Sequence, residues 1–143
     1  MRLLARRDYA RSELEARLVA SGASRNDVAT VLDELTALGY VSDARFARAF
    51  AAQKAGRYSQ RSIASELKAR GVNADDVGTA LATDGVDDAT ALAALWQRRF
   101  GRAPADDREK ARQVRYLQAR GFSLSTILAL LRKVAGGAIS NRG

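Results

Sequence analysis

The sequence predicts an all-α protein: an elongated, curved tandem array of three-helix units, arranged as three, three and two helices, with no β-sheet. Three observations carry this reading. Apolar residues recur at helical spacing, as in Val28, Val31, Leu32, Leu35 and Leu38, and no stretch alternates as a strand would. Helix-starting Ser, Asp and Asn and helix-ending Gly punctuate the chain at short intervals. Landmarks also repeat at a fixed distance: Gly22, Gly71 and Gly121 are spaced 49 and 50 apart, and Phe50 and Phe100 are 50 apart. A period near 50 residues signals stacked repeats, each burying its apolar face against its neighbours.

Taken in order, a first helix is expected over about Tyr9–Ala20, with Ser12 or Asp8 near its start, Leu14 and Leu18 inside, and Ser21-Gly22 ending it. Ser24 caps a second, with Asp27 three residues on. Ser42 caps a third, which carries Phe46, Ala49 and Phe50 on one face and ends by the Gly-Arg-Tyr-Ser junction at Gly56 to Ser59. The pattern then recurs. Ser59–Arg70 buries Ile63 and Leu67, Asn73–Ala82 buries Val77 and Leu81, and Asp87–Phe100 offers Leu92, Leu95, Trp96 and Phe100. Pro104, the only proline, marks a boundary. Asp106 opens a helix ending at Arg120-Gly121, and Ser123 opens the last, with Ile127, Leu128, Leu131 and Val134 inside. The units are thus 1–55, 56–104 and 105–143, the third incomplete. A helix tail is expected over Arg2–Arg7, as though a preceding segment had been lost, and a frayed tail from Gly136.

Composition narrows the function. The chain is 47% apolar but only 6% aromatic, and much of the apolar count is alanine, so thin helical layers are expected instead of one thick core. Net charge is +8, with arginine well ahead of lysine. A GC-rich genome enriches alanine and arginine together, but it does not of itself unbalance the charge. The excess calls for an anionic partner. It is uneven: 24 basic residues divide as nine against seven acids over 1–55 and fifteen against nine over 56–143. The densest run lies between Arg98 and Arg120, where Arg108, Arg112 and Arg115 share a helical face by their spacing. Helix C-termini attract basic residues anyway, which accounts for part of this run.

Catalysis has little to work with. There is no Cys and no His, hence no thiol or imidazole nucleophile, base or ligand. Asp75-Asp76, Asp87-Asp88 and Asp106-Asp107 each sit at an expected helix start, where carboxylates satisfy free amides. No phosphate-cradling glycine loop is present. The chain therefore reads as a non-enzyme with no metal and no cofactor. No run is long enough to cross a membrane, and a reducing cytoplasm fits the absence of Cys. The aromatic residues, among them Tyr9, Tyr40, Tyr58, Tyr116 and Phe122, fall at core spacing or beside helix-ending glycines, with Tyr58 the least obviously inward. No helix carries the Arg/Asn/Gln cluster of a base-reading helix-turn-helix, while non-specific phosphate contact is compatible with the charge.

The block GYVSDARFA (Gly39 to Ala47), with Gly56, Ile63, Glu66-Leu67 and Arg70-Gly71, resembles the RecX family of bacterial recombination regulators. So do the opening LLARRDYAR-x-ELEARL (Leu3 to Leu18) and the closing ARGFS (Ala119 to Ser123). The likeness spans Leu3 to about Val134, and one departure is the first unit, where no basic residue precedes Gly22 as Arg70 and Arg120 precede Gly71 and Gly121. The resemblance implies a bacterial cytoplasmic protein that binds the RecA recombinase and its filament on single-stranded DNA, restraining it in recombination, DNA repair and the SOS response; a monomer is expected, since nothing in the sequence requires a dimer. The alternative is an autonomous, non-specific protein that coats DNA. The charge bias nominates Arg57, Arg61, Lys68, Arg70, Arg98, Arg99, Arg102, Lys110, Arg112, Arg115 and Arg120 as contacts to recombinase or phosphate.

Overall fold

A computed structural model describes residues 8–137. The helix tail expected at residues 2–7, and all but Gly136 and Gly137 of the frayed tail expected from Gly136, lie outside the described residues. Eight helices and no strand occur among the described residues: α1 (Arg11–Ala20), α2 (Arg25–Ala37), α3 (Asp43–Lys54), α4 (Gln60–Ala69), α5 (Ala74–Asp84), α6 (Asp88–Arg99), α7 (Asp107–Ala119) and α8 (Leu124–Ala135).

Local chemistry sets the helix starts. The hydroxyl or side-chain oxygen of Ser24, Ser42, Ser59, Asn73, Asp87, Asp106 and Ser123 accepts a backbone N–H from the residue three positions on, at 2.8–3.2 Å. Each satisfies one donor that the first turn would otherwise leave unpaired. α1 is the exception. It begins at Arg11, after Ala10, and neither Asp8 nor Ser12 caps it; instead Glu13 reaches back to accept the Ala10 N–H at 3.2 Å. Asp8 is drawn away because its carboxylate pairs with Arg45 at 2.6 Å, and the Ser12 hydroxyl donates to the Arg70 carbonyl. At the other ends the N–H of Ala23, Tyr40, Val72 and Phe122 reaches back to the carbonyl five residues earlier, across a preceding glycine of positive φ. These are Schellman closures.

The described residues form two compact units: residues up to Gln53 with Ala64–Asp84, and Lys54–Ile63 with those from Gly85 onward. In the first, α1 packs on α2 around Tyr9, Leu14, Val28, Leu32 and Val41. Val31 (42% exposed) and Leu38 (71%), expected inside, lie off the edge of the α2 face that meets α1, and Tyr40 is 59% exposed. On α3 the buried face is Phe46, Ala47 and Ala51, with Phe50 5.9 Å from Phe46 and Ala49 exposed. The buried face is thus rotated from Ala49 toward Ala47 and Ala51, which are themselves four residues apart. In the second unit α6 and α7 both pack on α8 around Leu92, Leu95, Trp96, Leu117, Phe122, Ile127 and Leu131.

One joint occurs in both units. In the first, the Arg11 N–H donates to Asp43 at 2.8 Å, and a Cβ placed on Gly71 would stand 2.9 Å from the Ser12 hydroxyl. In the second, the Gln60 N–H donates to Asp88 at 2.9 Å, and a Cβ on Gly121 would stand 2.5 Å from the Ser59 hydroxyl and 2.6 Å from Ser62 Cβ. The Ser59 N–H also donates to the Arg120 carbonyl at 3.0 Å. The equivalent partners are separated by nearly the period that the glycine landmarks keep.

Candidate anion-facing surface

The basic residues of the second unit are organised by aromatic rings. α6 is capped at its C-terminus by Phe100, whose ring meets Tyr116 of α7 edge-on, with centroids 5.5 Å apart and planes at 87°. The Arg99 guanidinium lies over both rings, at 5.4 and 5.0 Å. Arg120, four residues beyond Tyr116 and so on the same face, lies 5.1 Å from that ring and 4.8 Å from Tyr58, whose ring also faces the Lys54 ammonium at 5.3 Å. Lys54, Tyr58, Arg120, Tyr116, Arg99 and Phe100 thus form one alternating ladder of cations and rings. Each step contributes about 0.5–1 kcal/mol where exposed. A guanidinium held by its face keeps its N–H edge available for carboxylate or phosphate.

Beside the ladder is a pocket of about 270 Å³ lined by Arg99, Phe100, Arg102, Ala103, Ala105, Glu109, Arg112 and Gln113. Its polar floor is fixed. Gln113, only 6% exposed, accepts the Trp96 indole N–H at 2.9 Å and donates to the Arg102 carbonyl at 3.1 Å. Trp96 is fully buried, so this pairing satisfies a donor that apolar surroundings could not. At the rim the Glu109 carboxylate accepts the Ala105 N–H at 2.8 Å.

The nominated residues divide sharply. Arg99, Arg102 and Arg112 converge on the pocket, and Arg120 joins Arg99 through Tyr116. The Arg98 guanidinium donates to the Gly56 carbonyl at 2.9 Å. Arg57, Arg61, Lys68, Lys110 and Arg115 are exposed, and their side chains have no ion pair or hydrogen bond among the described residues. Arg70 is occupied within the first unit: it pairs with Glu13 at 2.8 Å and Glu66 at 3.3 Å, and its guanidinium lies 5.3 Å from the Phe50 ring. Tyr58, Tyr116, Lys54 and Gln113 were not nominated, although the four-residue steps Lys54–Tyr58, Arg112–Tyr116 and Tyr116–Arg120 are visible in the sequence.

The paired carboxylates do not converge. Asp87 and Asp106 cap their helices, Asp88 accepts the Gln60 N–H, and no group of three or more acidic residues that could hold a metal ion occurs among the described residues. Hydrogen bonds from Thr90, its hydroxyl first and then its amide, hold the Asp87 carboxyl below the usual aspartate range. No helix among the described residues is long and apolar enough to cross a membrane.

Comparison with known proteins gives the family. The family model described as the second three-helix domain of RecX matches residues 42–81, and that of the third three-helix domain matches residues 87–131. These segments group α3–α5 and α6–α8, whereas the 49–50-residue phasing of the sequence groups α1–α3 and α4–α6. Among curated relatives, the regulatory protein RecX of Chromobacterium violaceum is 44% identical over 95% of this chain and 86% of its own length. That of Ralstonia pickettii is 38% identical over 90% and 80%. Among solved structures, RecX from Lactobacillus salivarius aligns with a TM-score of 0.66 at 16% identity, over 94% of this chain and 90% of that one. A second solved structure, of a regulatory protein RecX, aligns at 0.72 and 17% identity, over 92% of this chain and 66% of that one. At such identities the structures speak to the fold, and the sequence relatives to the kinship. The chain belongs to the RecX family of regulatory proteins.

Proposed function

We propose that this chain regulates the RecA recombinase by binding it and its filament on single-stranded DNA, chiefly restraining its activity, as a monomer in the bacterial cytoplasm. The observation that carries the reading is the ring-backed arginine ladder, flanked by exposed cations with no ion pair or hydrogen bond among the described residues, in a chain of the RecX family. Such a surface suits an anionic protein face or a phosphate backbone and holds no group that would perform a reaction. The contacts are assigned to Arg57, Arg61, Arg99, Arg102, Lys110, Arg112, Arg115 and Arg120, with Lys68 and Arg98 in supporting positions. Arg70 is assigned to stability first, since both its terminal nitrogens already have carboxylate partners. The units 1–55, 56–104 and 105–143 are proposed as the repeats from which the array is built, on the strength of the joint found twice.

The test is fluorescence anisotropy of labelled single-stranded DNA, bare or coated with ATP-bound recombinase, at two salt concentrations. Tight binding to the coated strand with modest salt dependence is expected, weakened by charge reversal at Arg112 and Arg115. Equal binding to bare DNA that collapses at the higher salt would replace this reading with that of a DNA-coating protein.

A further inference from the structure

From the pocket beside the ladder we infer a socket for one phosphate group of a single DNA strand. The inference deepens the reading above: it assigns Arg99, Arg102 and Arg112 to the nucleic acid and not to the recombinase. Three arginines line one concavity, and the side chains of Arg102 and Arg112 have no ion pair or hydrogen bond among the described residues. Arg99 is oriented in advance by Phe100 and Tyr116. The floor is neutral and immobile because both polar atoms of the Gln113 amide are already engaged. At about 270 Å³ the pocket falls just below the range of sites that enclose a whole drug-sized ligand, which fits a phosphate ester and not a complete cofactor. One carboxylate offers two oxygens and is satisfied by a single guanidinium fork. A DNA phosphodiester also has two unesterified oxygens, but they are set tetrahedrally with the two ester oxygens, so guanidiniums can approach it from outside a single plane. The chain's surroundings also suit a polyanion: Arg108, Lys110 and Arg115 continue the positive charge along the exposed side of α7.

Glu109 gives the socket an internal control. Glu109 lines the pocket with its carboxylate tied to the Ala105 N–H, so Glu109→Gln removes a negative charge beside the arginines and keeps a hydrogen-bond acceptor. The experiment titrates the 143-residue chain with a fifteen-residue oligothymidylate, without recombinase, over a series of salt concentrations. Trp96, the only tryptophan, touches the pocket floor and serves as the fluorescence reporter. The double variant Arg102→Gln/Arg112→Gln, both residues being exposed, should bind about tenfold or more weakly, as loss of charge-assisted hydrogen bonds implies. Its plot of log affinity against log salt should flatten by about 0.7, the contribution of one single-strand phosphate. Glu109→Gln should bind more tightly than the parent. An unchanged affinity and slope in the double variant overturns the inference. So does displacement of the oligonucleotide by polyglutamate of equal charge that depends on the same two arginines, since the socket would then read carboxylate. Loss of filament regulation in the double variant with bare-strand binding intact also overturns it, and leaves the recombinase reading standing. The expected phosphate behaviour in a parent chain that ignores the filament supports the socket and sinks the recombinase reading alone.

Discussion

Replacing the helix-ending glycines by alanine should destabilise the protein in a graded order, Gly22 least and Gly121 most. All three have positive φ, at +108°, +87° and +94° for Gly22, Gly71 and Gly121. A Cβ in a left-handed conformation costs about 1–2 kcal/mol. Alanine restores about 0.4–1 kcal/mol by restricting the unfolded chain. At Gly22 a Cβ would meet nothing within 4 Å, so the net loss should be about 1 kcal/mol. At Gly121 it would stand 2.5 Å from the Ser59 hydroxyl and 2.6 Å from Ser62 Cβ. Both serines sit at the buried start of α4, where Ser59 is fully enclosed and caps the helix through the Ser62 N–H at 3.0 Å. Forcing them aside adds about 1–3 kcal/mol of overpacking, and loss of the cap about 1 kcal/mol. Gly121→Ala should therefore lose about 3 kcal/mol or more, with Gly71→Ala between the two, because its neighbour is one serine at 2.9 Å. Urea unfolding followed by helical circular dichroism, with Trp96 emission reporting on the second unit, reads the order. The Ser62→Gly background should recover part of the Gly121→Ala loss and none of the Gly22→Ala loss. Equal losses at Gly22 and Gly121, or no recovery in the Ser62→Gly background, would refute the argument that close approach and not φ alone fixes glycine there.

Two further outcomes follow. Arg70→Ala should lower the unfolding midpoint by about 1–2 kcal/mol of stability, through the partly exposed Glu13 pair and the lost cover over Phe50, while Lys68→Ala leaves it unchanged; equal midpoints for the two would return Arg70 to the list of free contacts. Because the folded Asp87 carboxyl is held below its ordinary value, the stability it contributes is present above the unfolded aspartate pKa and is lost as pH falls through the folded value. Asp87→Asn keeps a cap without the titration, so its acid unfolding curve should be flatter than the parent's, and superposable curves would remove Asp87 from the acid response.

Where the sequence reading and the structure part, the reason is reach. Seven of eight caps were readable because a cap lies within three residues of the amide it satisfies, as in Ser24 with Asp27 or Asp106 with Glu109. α1 broke the rule because Asp8 is held by Arg45, 37 residues away, and Ser12 by the Arg70 carbonyl, 58 away. The same holds for the site. Arg99, Arg112 and Arg120 were readable as basic residues of one dense segment. That rings organise them was not, because Tyr58 reaches Arg120 across 62 positions that no periodicity links.

The sequence by itself determined the helical class, seven of the eight helix starts, the cationic balance and the exclusion of thiol and imidazole chemistry, since each follows from residue type and near-neighbour spacing. Only the tertiary structure decided which arginines are free. Arg70 and Arg120 both precede a helix-ending glycine in the same tetrapeptide setting. One is neutralised by Glu13 and Glu66, and the other is stacked between two tyrosines with no carboxylate partner among the described residues. A guanidinium's charge is fixed by its chemistry, but its availability is set by what the fold brings against it.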